Sequence, residues 1–122
     1  MSDLNKRAGR TDLELPVEVR ADQELYAGTT KNIGLGGVFL ATPKVRAVGE
    51  RLVLRFTLPG EDEPIAVEGE VRWVRAPAAG AAAEDPPGMG LRFVNLAFEL
   101  SLLLQRFLTE REREAERRAR AS

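Results

Sequence analysis

From Leu13 onward, apolar residues recur at every second position in short segments punctuated by Gly and Pro, and no other feature constrains the fold as tightly. Leu13, Leu15, Val17 and Val19 alternate with Glu14, Pro16, Glu18 and Arg20, the pattern of a strand with one face in a core and one in water. Pro16 has no N–H to give to a ladder, so this strand belongs at an edge or a bulge. Leu25 to Ile33 reads as a second strand, and the glycine-rich turn at Gly34 to Gly37 leads into a third, Val38 to Leu40, which Thr42 and Pro43 end. Val48, Gly49 and Glu50 form the turn before Leu52, Leu54, Phe56 and Leu58. A loop with Pro59, Gly60 and Pro64 has hairpin chemistry, because Pro presets φ and Gly permits its positive range. The fifth strand carries Ile65, Val67, Gly69, Val71 and Trp73 on one face, with Glu68, Glu70, Arg72 and Arg75 at polar positions. On this alternation, Phe39 and Trp73 are expected in the core rather than on a partner surface. The Ala-, Pro- and Gly-rich stretch 76–88 reads as a long mobile loop, and Met89, Leu91 and Phe93 as a sixth strand.

After Asn95, the expected N-cap, the period changes from two to the helical spacing: Leu96, Leu100, Leu103, Leu104, Phe107 and Leu108 form one stripe that must dock on the sheet. From Thr109 every face is charged, with Glu114 to Arg118 and Glu116 to Arg120 at i,i+4 spacing, so a solvated helical extension that frays is expected. Six short strands and one terminal helix, without strand-helix alternation, predict an all-β domain with a C-terminal helix, a six-stranded antiparallel barrel. The expected organisation is a flexible N-terminal arm over 1–12 with a basic cluster, a barrel with docked helix over 13–108, and a charged extension over 109–122.

Composition narrows the function. The 122 residues include neither His nor Cys; the commonest general base and metal ligand and every disulfide are thereby excluded. The remaining carboxylates fall on solvated strand and helix faces, so no catalytic constellation forms and the chain is not expected to be an enzyme. A net charge of -1 speaks against a nucleic-acid polymer or an anionic membrane as partner. No segment approaches the length of a membrane span or a secretory h-region, and a cytoplasmic location is expected.

Two features answer to no strand or helix rule: the cations Lys6, Arg7 and Arg10 ahead of the first strand, and the run Asn32-Ile33-Gly34-Leu35-Gly36-Gly37 at a strand end. With Leu15-Pro16-Val17, Gly36 to Leu40, Val48-Gly49-Glu50, Gly69 to Val74 and Gly88 to Phe93 in this order, the chain resembles the PilZ domain over roughly Asn5 to Leu108. That family is the bacterial receptor module for cyclic di-GMP. The resemblance implies a PilZ-like barrel and a ligand site of the form RxxxR followed by [D/N]xSxxG. Here Lys6 stands at the first arginine, Arg10 at the second, Asn32 at the Asp/Asn, Gly34 at the serine and Gly37 at the last glycine, with Arg7 one residue beyond the first arginine. Lysine keeps the charge but loses the planar fork that grips phosphate and stacks on purines. No resident cofactor is implied. Cyclic di-GMP is the implied ligand, held by Lys6, Arg7, Arg10, Asn32, Gly34 and Gly37, and a protein partner is expected, with motility or cell-surface behaviour as the output. Two alternatives stay open: a degenerate adaptor that binds no nucleotide, and a structural component of a larger motility or secretion machine.

Overall fold

The computed structural model describes residues 10–77 and 86–121. Seven strands and one helix follow in order: β1 (Arg10–Asp12), β2 (Pro16–Ala21), β3 (Glu24–Gly34), β4 (Gly37–Ala41), β5 (Arg51–Phe56), β6 (Ile65–Arg75), β7 (Gly88–Val94) and α1 (Phe98–Ala121). All pairings are antiparallel. The ladder runs β3-β2-β5-β6-β7-β4 and closes through β4 on β3, giving the closed six-stranded antiparallel barrel with a C-terminal helix that the pattern predicts. The seventh strand, β1, was read as part of a flexible arm over 1–12; residues 1–9 lie outside the described residues, whereas Arg10–Asp12 pairs with Asn32–Gly34 of β3.

β1 and β2 share one edge of β3, and Thr30 spans the interruption between them. Its buried hydroxyl donates to the Leu13 carbonyl (2.6 Å) and accepts from the Leu15 N–H (2.9 Å), while its own N–H donates to the Leu15 carbonyl (2.9 Å). One side chain thus satisfies the backbone groups that the break would orphan. Pro16 opens β2 just past this break, where no ladder donor is lost.

The inward faces close on one core of Val17, Val19, Ile33, Leu40, Leu52, Leu54, Val71, Met89 and Leu91, all nearly excluded from solvent. Leu104 and Leu108 of α1 join it, with Leu100, Leu103 and Phe107 packed at its margin. Gly49 sits at φ 97°, a conformation glycine adopts without strain, and the turn there is tied to β6 by its N–H to the Val71 carbonyl (2.8 Å).

The expected start of the helix and the expected core placement of two aromatic side chains need correction. Asn95 does not cap the helix: it lies at φ 53°, left-handed and incompatible with an N-cap's extended backbone, and its amide donates to Glu68 (3.2 Å). α1 begins at Phe98, its first turn marked by the Ser101 N–H to the Ala97 carbonyl (2.9 Å). Leu96 packs against the core from ahead of the helix. Trp73 leaves the core face, because the β6–β7 register shifts between Val71 and Trp73 and the extra residue turns Trp73 outward; it is 46% exposed, and Val74 takes the inward position against the core. Phe39 is buried, but on the outer face, under Trp73. Most of the expected mobile loop, residues 78–85, lies outside the described residues.

A candidate ligand groove on the outer barrel face

The registers place outward residues of five strands in one row: Asp12 opposite Asn32, Asn32 opposite Phe39, Phe39 opposite Gly90, and Gly90 opposite Trp73. A second row runs Gly37, Arg92, Glu70, and a third Ala41, Gly88, Arg75. Glycines at 37, 88 and 90 remove the side chains that would fill the middle of this face. The result is an open groove of about 1030 Å³ whose walls include Asn32, Trp73, Arg75 and Arg92.

Each glycine has a steric reason. A Cβ at Gly37 would overlap the Leu91 carbonyl oxygen, one at Gly88 the Leu40 carbonyl oxygen, and one at Gly90 the Trp73 indole nitrogen. The bare backbone of β7 therefore lets the two rings lie flat: Phe39 and Trp73 stack with centroids 5.2 Å apart and planes 20° from parallel. The Arg75 guanidinium stands 5.4 Å from the Phe39 centroid and 5.5 Å from that of Trp73, a cation-π cap, and donates to the Pro86 carbonyl (3.1 Å).

Two bulges frame the groove, between Thr30 and Asn32 on β3 and between Val71 and Trp73 on β6. The residues they displace, Lys31 and Arg72, both line it. Bulges re-aim side chains at barrel rims and beside sites, and here they bring Asn32 and Trp73 to one surface. Cations predominate along the walls. Lys31 pairs with Glu14 (2.8 Å), and Glu70 takes Arg92 (2.7 Å) and Arg72 (3.7 Å). Hydrogen bonding from Arg92 holds the Glu70 carboxyl below its ordinary value, so it stays ionised and keeps Arg92 in place.

Of the site residues predicted from sequence, Asn32 and Gly37 line the groove. Gly34 is buried at the end of β3, its backbone paired with Arg10. Gly37 also has the close strand approach to serve, apart from any ligand. Lys6 and Arg7 lie outside the described residues. Sequence reasoning missed Trp73, Arg75, Arg92 and Arg111 as lining residues. The available signal was glycine at alternate positions of one strand, Gly88 and Gly90, which marks an outer face left empty for something flat.

Among the described residues no helix is long and apolar enough to cross a membrane. No curated relative matches the chain. Among solved structures, the Bacillus subtilis inhibitor of motility MotI/DgrA is similar at TM-score 0.71 and 23% identity, over 86% of this chain and 50% of that one. The PilZ domain of Escherichia coli YcgR, solved with c-di-GMP, is similar at TM-score 0.68 and 18% identity, over 93% and 95%. A pathogenic protein from Xanthomonas campestris, described as a tetrameric PilZ domain self-assembled through a helical bundle, gives 0.54 and 22%, over 78% and 49%. The chain thus spans half the length of MotI/DgrA and nearly all of the isolated YcgR domain, and at these identities the likeness is one of fold. The PilZ domain family itself matches residues 5–110, from the basic arm through the docked part of α1, and the chain belongs to that family.

Proposed function

We propose that this chain is a non-enzymatic signalling module that binds cyclic di-GMP in the groove and relays the event to a protein partner. The observation that carries the reading is the β1–β3 ladder: it sets the motif's second arginine position, Arg10, opposite Gly34, and Asp12 opposite Asn32, the last two lining the groove. The surroundings suit a flat, dianionic nucleotide, with a stacked ring pair for a purine and arginines for phosphate. Similarity to the PilZ domain of YcgR, solved with c-di-GMP, supports this ligand class, and similarity to MotI/DgrA, an inhibitor of motility, makes motility or cell-surface regulation the proposed output.

Lys6 and Gly34 depart from the motif, so binding is expected to be weak: the missing serine hydroxyl alone removes a charged-group hydrogen bond worth about 1.5–3 kcal/mol. Calorimetric and NMR titration with cyclic di-GMP tests the reading. Saturable heat and shift changes at high micromolar ligand, lost in Asn32→Ala, support it. Neither heat nor shifts in the wild type sinks the receptor reading, and the adaptor that works by protein contact alone then stands.

A further inference from the structure

The apolar stripe of α1 runs Leu100, Leu104, Phe107 and Leu108, and the next position on that side of the helix, three and four residues on, is Arg111. It is the last residue of α1 that is even partly shielded, everything from Glu112 to Ala121 being exposed. An arginine at a stripe position lays its stem along the apolar surface and carries its charge to the edge. Here the guanidinium stands 5.7 Å over the Phe107 ring, and Arg111 lines the groove, the α1 residue that does so.

The other groove arginines are committed. Arg92 and Arg72 share Glu70, and Arg75 is held by the Pro86 carbonyl and the two rings. Among the described residues Arg111 makes no ion pair and no side-chain hydrogen bond, and its five N–H donors remain open. Asp12 and Glu14 line the same groove. Glu14 is taken by Lys31, whereas Asp12 stands beyond salt-bridge distance from any cation of the described residues.

We propose that Arg111 is a phosphate-gripping residue of the groove, delivering from the C-terminal helix the guanidinium fork that the motif lacks at Lys6. The inference rests on the receptor reading above and deepens it. Its consequence is that ligand occupancy is linked to α1: a phosphate held by Arg111 and by the motif residues of β1 and β3 ties the helix to the barrel face at the point where the exposed extension begins.

The test is titration of cyclic di-GMP into full-length wild type, Arg111→Ala, Arg111→Lys and, as a control on an exposed arginine of the same helix, Arg117→Ala, with Tm measured for each. Arg111→Ala should weaken binding at least tenfold, Arg111→Lys should recover only part of it because a point charge replaces the fork, and Arg117→Ala should stay within twofold, all at unchanged Tm. Wild-type binding with Arg111→Ala inside twofold overturns the proposal and leaves the receptor reading intact. Equal weakening by Arg117→Ala also overturns it, since only bulk charge would then be at work. Absence of wild-type binding sinks the receptor reading and this proposal with it.

Discussion

Thr30 shows how much one side chain decides. Its hydroxyl serves two backbone groups in a region sealed from water, so Thr30→Val, which keeps shape and removes the oxygen, should cost about 1–3 kcal/mol by leaving the Leu15 N–H and Leu13 carbonyl unpaired. Chemical denaturation measures this, and a Thr30→Val protein of wild-type stability would show that the β1–β2 break relaxes to find water. Gly34 poses the complementary question, whether a missing atom can be put back. The positive-φ glycines among the described residues are Gly49 and Gly60, and Gly34 sits in a strand. A serine there meets no left-handed strain. Lys6→Arg with Gly34→Ser should tighten cyclic di-GMP binding by at least tenfold, read by calorimetry; a double variant that binds no better than wild type would show that the loop no longer presents the motif's geometry.

At the scale of elements, α1 divides into a docked half and a solvent-exposed half. Leu104 has no exposed surface, and Leu104→Ala should cost about 2–5 kcal/mol, the range for a truncated core aliphatic; wild-type melting would mean that the helix is not held there. Beyond Arg111 the helix offers no apolar side chain larger than alanine and makes weak pairs such as Arg113 to Glu110 (3.8 Å). Truncation after Arg111 should therefore move Tm by no more than about 3 °C. A larger drop, dependent on protein concentration, would reveal packing against a second copy. β6 carries the other element-scale event: its bulge converts an in-out strand into one that presents Trp73 to the groove and Val74 to the core.

Across the whole molecule, charge ties the barrel's surface together and sets its pH range. Arg46 joins Asp22 and Glu24 of the β2–β3 hairpin to Glu50 ahead of β5, at 2.7, 3.1 and 3.0 Å. The Glu50 carboxyl is held below its ordinary value of 4.5, first by the Ala47 N–H and then by Arg46, and that of Glu70 likewise by Arg92. A carboxyl whose folded pKa is depressed lets the unfolded chain take up protons first, so its contribution is complete above the ordinary value and is lost as pH falls through the folded one. Tm should fall as pH drops below about 5, and Glu50→Gln and Glu70→Gln should flatten that fall. Tyr26 acts at the other end: burial raises its pKa above 10.0, so the folded state holds the phenol neutral and loses this advantage as pH climbs through that range. A Tm constant from pH 7 to 3 would show that these pairs contribute nothing.

The alternation from Leu13 to Phe93 and the stripe from Leu100 to Leu108 were enough to read the barrel and its docked helix, because burial of one face is a local rule that each segment obeys on its own. The motif positions Arg10, Asn32, Gly34 and Gly37 were picked out by their order along the chain, and of these Asn32 and Gly37 line the groove. Trp73 and Asn95 were not. A bulge in β6 and a left-handed turn after β7 depend on how neighbouring strands must twist to close six of them into a ring, a demand that no segment carries in its own period. The groove, too, exists only where β4, β6 and β7 lie side by side, since Gly90 is a small residue until Trp73 is laid across it. What local periodicity determined was which residues are inside; what tertiary closure decided was which outer residues meet along the groove.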